Sequence, residues 1–258
     1  MLNIVHWKCR RNNWGDGIAP YIAKKLSGKE IKSVRGPEGG NDIRYTVTGS
    51  INQWLENDNT VIWGTGFITE VSQLKISPKE ICAVRGPLTR EKFLKAGFDC
   101  PEVYGDPALL MPKFYSPNIK KKYKYGIIPH YVDVDNPWVM KYKNVEDVKI
   151  INITHGSETE LNSHRFIDEI LECEIILSSS LHGLIAADAY GIPSHWIELS
   201  DNVIGKGFKF RDYFMSVNRP IVEPFRPGPN TKISHFSLYD YQINIDLEKL
   251  VESCPFLN

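Results

Sequence analysis

Short apolar runs that lead into a tight turn and then into a helical segment recur along this chain. The run at residues 81–84 precedes an Arg-Gly-Pro turn and a helical segment at 88–96, and the run at 174–177 precedes three serines and a helical segment at 184–190. This alternation is typical of βαβ units, in which helices cover a parallel sheet. The predicted fold class is therefore α/β with parallel sheets.

The same pattern predicts the remaining elements. Further strands are expected at residues 2–7, 47–51, 60–63, 103–104, 125–129, 148–153 and within 193–199, and further helices at 19–26 and 165–172, with a terminal helix at 245–253. The Pro- and Lys-rich stretch 113–124 has little hydrophobic period and predicts a linker. We therefore expect an N-terminal α/β domain at 1–117 and a C-terminal α/β domain at 118–258, which includes the terminal helix. Their sheets should face an interdomain cleft.

The balance of charge limits the partners that the chain can attract. Its 258 residues hold 31 Lys plus Arg and 31 Asp plus Glu, so the formal net charge is zero. No overall field draws in nucleic acid or a membrane, and no nucleic-acid partner is expected. An anionic ligand would have to be recruited by a local group of cations.

The cysteines and the apolar runs indicate the compartment. The five cysteines are scattered and lack CxxC spacing, so neither a disulfide framework nor a metal site is predicted. The first residues do not form a signal peptide, and no apolar run approaches the length of a membrane span. We expect a cytoplasmic protein that meets any lipid-linked substrate at the inner face of the membrane.

The segment LSSSLHGLIAAD at 177–188 carries the strongest functional signal. An apolar strand runs into Ser178, Ser179 and Ser180, followed by Leu181 and His182 at the start of a helix. Free N–H groups at a helix start, together with serine hydroxyls, predict an anion-binding pocket. An imidazole there can move protons at neutral pH. The alternative is that this histidine only caps the helix or packs against a neighbouring strand.

Three basic side chains are candidates for holding an anion. Arg85 follows a strand, and its planar guanidinium can donate two bonds to a carboxylate or phosphate. It could instead hold its turn through backbone carbonyls. In KGFKFRD at 206–212, the alternation of an extended segment would place Lys209 and Arg211 on one face. The alternative for this pair is a solvated edge.

Two glycine-containing turns follow predicted strands. The first holds Asn13, Gly15 and Asp16, and its carboxylate could cap the next helix or contact a sugar hydroxyl. The second holds Gly64 and Thr65, which could line the cleft or only form a tight turn. Glycine allows a close approach of the backbone to a ligand.

Two more polar residues follow predicted strands. Asp106 could hydrogen-bond its own turn or orient Arg85, and His130 is a candidate to face the cleft. Ligands of parallel sheets bind at the carboxyl ends of the strands. Because all of these candidates follow strands, the sequence predicts an enzyme.

In combination, these segments resemble the polysaccharide pyruvyl transferase family. The similar segments occur in the family's order and cover nearly the whole chain: NNWGD at 12–16, VIWGTGF at 61–67, AVRGPLTRE at 83–91, YGDPALLMP at 104–112, IIPHYVD at 127–133, SSSLHGLIAADAYGIP at 178–193 and GFKFRDYF at 207–214. The resemblance implies two Rossmann-like domains arranged as in GT-B glycosyltransferases. It also implies phosphoenolpyruvate as donor, two hydroxyls of a sugar as acceptor and no further cofactor.

The resemblance also implies roles for single residues and a biological setting. His182 corresponds to the proposed catalytic histidine and Arg85 to the proposed donor ligand. Several members carry arginine where this chain has Ser180, so Ser178, Ser179, Lys209 or Arg211 would have to supply that contact. The acceptor would be a sugar of an exopolysaccharide, a capsule or a related bacterial surface polysaccharide, or its lipid-linked precursor.

Two other functions are compatible with the sequence. A GT-B glycosyltransferase that uses a nucleotide sugar would share the fold and the cleft. A catalytically silent scaffold of a polysaccharide assembly complex is the other alternative, and the serine at position 180 in place of arginine is the feature that favours it.

Overall fold

The computed structural model describes residues 1–5, 13–34, 41–154, 160–238 and 241–257, and it contains two parallel sheets. The first sheet has the order β2-β1-β3-β4-β5, with all neighbours parallel. Its strands are β1 (Leu2–Val5), β2 (Ile31–Val34), β3 (Arg44–Thr46), β4 (Thr60–Trp63) and β5 (Glu80–Ala83).

The second sheet has the order β7-β6-β8-β9 and is also parallel throughout. Its strands are β6 (Tyr123–Ile128), β7 (Val148–Ile150), β8 (Cys173–Ser178) and β9 (Ser194–Trp196). All four residues of β4, and five of the six of β8, are buried. Strands that are covered on both faces consist of consecutive apolar residues, so these strands could be predicted from the sequence.

Helices connect most of these strands. The described α-helices are α1 (Trp14–Gly17), α2 (Ala19–Ser27), α3 (Pro87–Lys95), α4 (Met111–Phe114), α5 (Pro137–Met140), α6 (Glu160–Leu171), α7 (Leu181–Ala189), α8 (Phe208–Ser216) and α9 (Leu247–Glu252). In the described part of the chain, 3₁₀ turns lie at Asn52–Trp54, Pro107–Leu110 and Ile233–His235. Within the described ranges, none of the helices has the length and apolar character needed to cross a membrane. The predicted α/β class is confirmed.

One predicted strand and one predicted extended segment are wrong. Residues 47–51 are irregular, because the chain leaves the sheet after Thr46 and turns at Gly49, whose φ is +106°. Residues 206–212 are not extended: Gly207, with φ +79°, is followed directly by α8. The predicted strand at 103–104 is only an isolated bridge between Val84 and Tyr104, and residues 6 and 7 of the predicted first strand lie outside the described residues.

The apolar core runs through both halves of the chain. One cluster joins side chains of the first sheet, such as Trp63, to side chains of the second, such as Ile128. The terminal helix α9 lies against the first half, where the indole of Trp63 donates a 3.0 Å hydrogen bond to the carbonyl of Leu250. The division at residues 117 and 118, and the facing arrangement of two domains, stay predictions.

Candidate active site

A small polar pocket lies where the carboxyl ends of both sheets meet. It has a volume of about 80 Å³. Most of the lining residues lie in segments that follow strands, as expected for parallel sheets, and Lys209 comes from helix α8. The lining consists of Asn13, Asp16, Ser50, Ile51, Trp54, Ile68, His130, Tyr131, Ser180, Leu181, His182 and Lys209.

His182 lies in the first turn of α7 and is 6% exposed. Its ring packs directly against Gly15, where a Cβ would lie 1.9 Å from the imidazole Cγ. On another side, its Nε2 lies 3.4 Å from a carboxylate oxygen of Asp106. The histidine is therefore held between two loops of the first half while it lines the pocket.

The start of α7 forms one wall of the pocket. Ser180 is the N-cap residue in extended conformation, and its side chain makes no capping hydrogen bond. The first N–H groups of a helix have no partner within the helix, and they favour an anion. Ser180 and Leu181 line the pocket, and their role as donor ligands stays a prediction.

Lys209 supplies a cation to the same pocket. It lies on α8, is 8% exposed and makes no hydrogen bond among the described residues. Burial lowers the pKa of its ammonium group to about 8, while Asp16 opposes this shift and Arg85 adds to it. A buried ammonium group that lines a pocket is a strong site for an anionic ligand.

Asp16 faces this cation from the first half of the chain. Its helix α1 begins at the N-cap Asn13, whose side chain accepts from the N–H of Gly15 at 3.0 Å. The ring of Trp14 then packs on Phe166 of α6, with 4.8 Å between centroids, which fixes the turn. Burial raises the pKa of the Asp16 carboxyl group, and His182 and Lys209 partly offset this shift.

His130 lines the pocket after β6, as predicted. Its backbone N–H donates to the hydroxyl of Ser179 at 2.8 Å, and its ring lies 4.2 Å from that of Tyr131. Burial, and then the charge of Lys209, lower the pKa of this histidine to about 3. Its imidazole is therefore neutral near pH 7 and contributes no positive charge to the pocket.

Arg85 does not lie on the pocket surface. Its guanidinium is 0% exposed: Nε donates to Asp212 at 3.0 Å, Nη1 to the hydroxyl of Ser50 at 2.5 Å, and Nη2 to the carbonyl of Phe67 at 2.8 Å. This position matches the alternative interpretation, in which the arginine holds its turn. The prediction that it binds the donor directly is not supported, because its hydrogen bonds already have protein partners.

The ion pair of Arg85 with Asp212 nevertheless acts on the pocket. Asp212 lies on α8, three residues after Lys209, and it also accepts from the N–H and hydroxyl of Thr89 at 2.9 and 2.7 Å. Backbone of the two halves meets here, since a Cβ on Gly86 would lie 1.9 Å from the Asp212 carbonyl oxygen. The pair fixes α8 and thereby the buried lysine, while the Ser50 contact holds a residue of the pocket wall.

Two of the three serines support the loop instead of lining the pocket. The hydroxyl of Ser178 lies 3.0 and 2.9 Å from the carbonyl oxygens of Ile128 and Ser180, which share its single proton, and it accepts from the N–H of Ser180. The hydroxyl of Ser179 accepts from His130 and lies 3.5 Å from an Asp133 oxygen. Neither side chain reaches the pocket, so the predicted donor contacts of both serines are not supported.

Three further predicted residues lie away from the pocket. Arg211 donates to the carbonyl of Lys206 at 2.7 Å. It lies on a different face of α8 from Lys209, because residues two apart on a helix do not share a face. Gly64 has φ +86° and packs against Pro107. The hydroxyl of Thr65 is buried and donates to Asn52 at 2.7 Å. These residues form the supporting structure.

Some pocket residues were missed by the sequence analysis. Ser50 and Trp54 belong to the segment that follows β3, part of which was predicted as a strand; the Gly-Ser step at 49–50 was the available signal for a turn. Tyr131 follows the predicted His130 directly. Ile51 and Ile68 add the apolar part of the lining.

Comparison with known proteins identifies the class of protein. The family model for polysaccharide pyruvyl transferase matches residues 17–201, so the chain belongs to this family and the predicted resemblance is confirmed. Membership makes the protein a transferase of this class, with a sugar or polysaccharide as acceptor.

Individual relatives agree with this assignment. An uncharacterized protein of Acanthamoeba polyphaga mimivirus is 31% identical over 214 residues, which cover 81% of this chain and 72% of the viral protein. The succinoglycan biosynthesis protein ExoV of Rhizobium meliloti is 29% identical over 216 residues, which cover 81% of this chain and 62% of ExoV.

One solved structure shares the fold. The crystal structure of an uncharacterized Klebsiella pneumoniae protein superposes with a TM-score of 0.50 at 12% identity, covering 83% of this chain and 86% of that one. This likeness concerns the fold alone and is consistent with an α/β protein built on two parallel sheets.

Proposed function

We propose that this protein transfers the enolpyruvyl group of phosphoenolpyruvate onto two hydroxyls of a sugar and so forms a cyclic ketal. The observation that carries the proposal is the convergence of Lys209 and His182 on one small pocket. The cation can hold the anionic donor, and the proton acceptor beside it can take the proton of an attacking hydroxyl.

The donor is held by groups from α7 and α8. Lys209 pairs with the phosphate or carboxylate, and the free N–H groups at the start of α7 bind the same anion. The lysine supplies the charge that several family members place at the position of Ser180. Arg85 contributes indirectly, since its ion pair with Asp212 fixes the helix that carries the lysine.

The reaction divides into an addition and a displacement. His182 accepts the proton of the first sugar hydroxyl while carbon 3 of the donor takes up a proton and carbon 2 is attacked. Asp16, whose carboxyl pKa is raised by burial, is the proposed source of the proton for carbon 3. The second hydroxyl then displaces phosphate and closes the ketal. Its proton leaves with the phosphate, and the proton held by His182 returns to Asp16, so that one phosphoenolpyruvate and one diol give one ketal and one phosphate. Placement and charge stabilisation lower the barrier, and no further cofactor is required.

The size of the pocket supports a small donor over a nucleotide sugar. Pockets for drug-sized ligands measure roughly 300–1,000 Å³, whereas this one has about 80 Å³. The acceptor sugar would lie at the rim, where Trp54 and Tyr131 are half-buried. A surface polysaccharide or its lipid-linked precursor is the proposed acceptor, and a GT-B-like arrangement of the two halves would leave room for it.

Turnover with defined substrates tests the proposal. The protein is incubated with phosphoenolpyruvate and a panel of hexosides, and phosphate release is compared with the mass gained by each sugar. We expect equal amounts of phosphate and of a product heavier by one pyruvate less one water. His182→Ala should abolish both signals while the protein stays folded, whereas His235→Ala, at a histidine outside the pocket, should retain them. Transfer from a nucleotide sugar without phosphoenolpyruvate would refute the proposal.

A further inference from the structure

Two buried polar atoms beside the pocket are left without hydrogen bonds. Nε2 of His182 and Oδ2 of Asp106 have no hydrogen-bond partner within the described part of the chain. They lie 3.4 Å apart, with the two side chains only 8% and 1% exposed. Because buried polar groups are almost always paired, two such atoms at this separation point to each other as partners.

The carboxylate of Asp106 is held in place from its other side. Its Oδ1 accepts from the N–H of Ala108 at 3.0 Å and caps the 3₁₀ turn Pro107–Leu110. The Asp106 side chain does not line the pocket. It therefore has a fixed orientation, with one oxygen used by the turn and the other directed towards the histidine.

The imidazole of His182 has correspondingly little freedom. Its ring lies against the Cα of Gly15, and its Nε2 is buried. The same side chain lines the pocket. Of the two ring nitrogens, only Nδ1 remains for a ligand or an attacking hydroxyl.

We infer that Asp106 is a positioning residue that accepts the Nε2–H of His182 and so keeps Nδ1 as the unprotonated nitrogen that serves the pocket. A neutral imidazole has one donor and one acceptor, and the partner of one nitrogen decides the state of the other. The carboxylate also stabilises the imidazolium that forms when Nδ1 takes a proton. The catalytic consequence rests on the proposed function, whereas the tautomer can be measured without substrate.

Substitution of Asp106 by asparagine gives a specific test. In Asp106→Asn the amide oxygen can still cap the turn, while the NH₂ group replaces the oxygen that faces Nε2. The amide then donates to Nε2, and the ring proton moves to Nδ1. Protein labelled with ¹⁵N-histidine reports the tautomer by NMR, and His182→Gln identifies the signal. We expect the Nε2–H tautomer in the unsubstituted protein and the Nδ1–H tautomer in Asp106→Asn.

Asp246→Asn is the matched control, since Asp246 also caps a helix, through the N–H of Lys249, and does not line the pocket. It should leave the histidine signal unchanged. In assays with phosphoenolpyruvate, Asp106→Asn should lower kcat roughly 10²–10⁴-fold with little change in KM for the donor, which a general loss of structure would not produce.

The unsubstituted protein alone can overturn the inference. A signal of the Nδ1–H tautomer for His182 would refute it, whether or not any variant folds. An unchanged tautomer in folded Asp106→Asn would refute it as well. An Nε2–H tautomer in a protein that shows no turnover on any sugar would support the assignment of Asp106 and refute the proposed function instead.

Discussion

The imidazole of His182 lies on the Cα of Gly15, so that any side chain at position 15 would occupy the space of the ring. A Cβ there would come within 1.9 Å of Cγ and 2.0 Å of Nδ1. The glycine is needed for this contact and not for an unusual backbone conformation, since it adopts an ordinary helical one in α1. The contact joins the turn after β1 to the turn after β8, and thus the two halves of the chain.

Gly15→Ala should therefore inactivate the protein while leaving most of its stability. The ring must move by more than an ångström, and a displacement of this size at a catalytic group costs roughly 10²-fold in rate. Overpacking should cost about 1–3 kcal/mol of unfolding free energy. Phosphate release and urea unfolding measure the two effects.

Gly228→Ala is the control for this substitution, because a Cβ at Gly228 would have only the Thr231 hydroxyl near it, at 3.9 Å. It should preserve activity. If Gly15→Ala also turned over normally, the position of the His182 ring would be unimportant for the reaction.

The sequence predicted both partners of this contact but not the contact itself. Asn13, Gly15 and Asp16 were placed after one strand and His182 after another, and parallel sheets bring such ends together. Which side chain meets which depends on the packing of α1 against the second half, through Trp14 and Phe166. That packing joins residues more than 150 positions apart, and no local pattern encodes it.

The wrong predictions have a common physical origin. The segments 47–51 and 206–212 were predicted to be extended from their apolar and alternating residues, whereas the path of the backbone at Gly49 and Gly207 is set by positive φ angles. Arg85 was predicted as a ligand because it follows a strand. Its buried partner Asp212 lies on α8, which was predicted as an extended segment, so the ion pair could not be foreseen.

Arg85→Met should destabilise the protein strongly. It leaves the buried carboxylate of Asp212 without its cation, and breaking such a pair by removing one partner costs about 3–5 kcal/mol. Arg226→Met is the matched control: Arg226 pairs with Glu198 and Asp201 at the surface, and its loss should cost less than about 1 kcal/mol. Urea unfolding measures both. Weaker binding of phosphoenolpyruvate by Arg85→Met at unchanged stability would instead restore the arginine as a direct ligand.

Substitution by alanine should have different effects at Ser178 and at Ser180. The Ser178 hydroxyl is buried among backbone groups, so Ser178→Ala should cost about 1–3 kcal/mol of stability. Ser180 lines the pocket without capping α7, so Ser180→Ala should change the unfolding free energy by less than about 0.5 kcal/mol and raise KM for the donor. The opposite result would assign the donor contact to Ser178.

The ionisation of Lys209 predicts how donor use depends on pH. Burial lowers the pKa of its ammonium group to about 8, so the free protein loses this cation as the pH rises through that value. The value of kcat/KM for phosphoenolpyruvate should then fall on the alkaline side with an apparent pKa near 8, because this ratio reports groups of the free enzyme.

Lys209→Arg keeps its charge throughout this range and should lack the alkaline decline, and Lys209→Met should be poorly active at every pH. Arg211→Met, two residues along the same helix but outside the pocket, should retain the profile of the unsubstituted protein. An alkaline decline that persists in Lys209→Arg would assign the titration, and with it the binding of the anion, to another group.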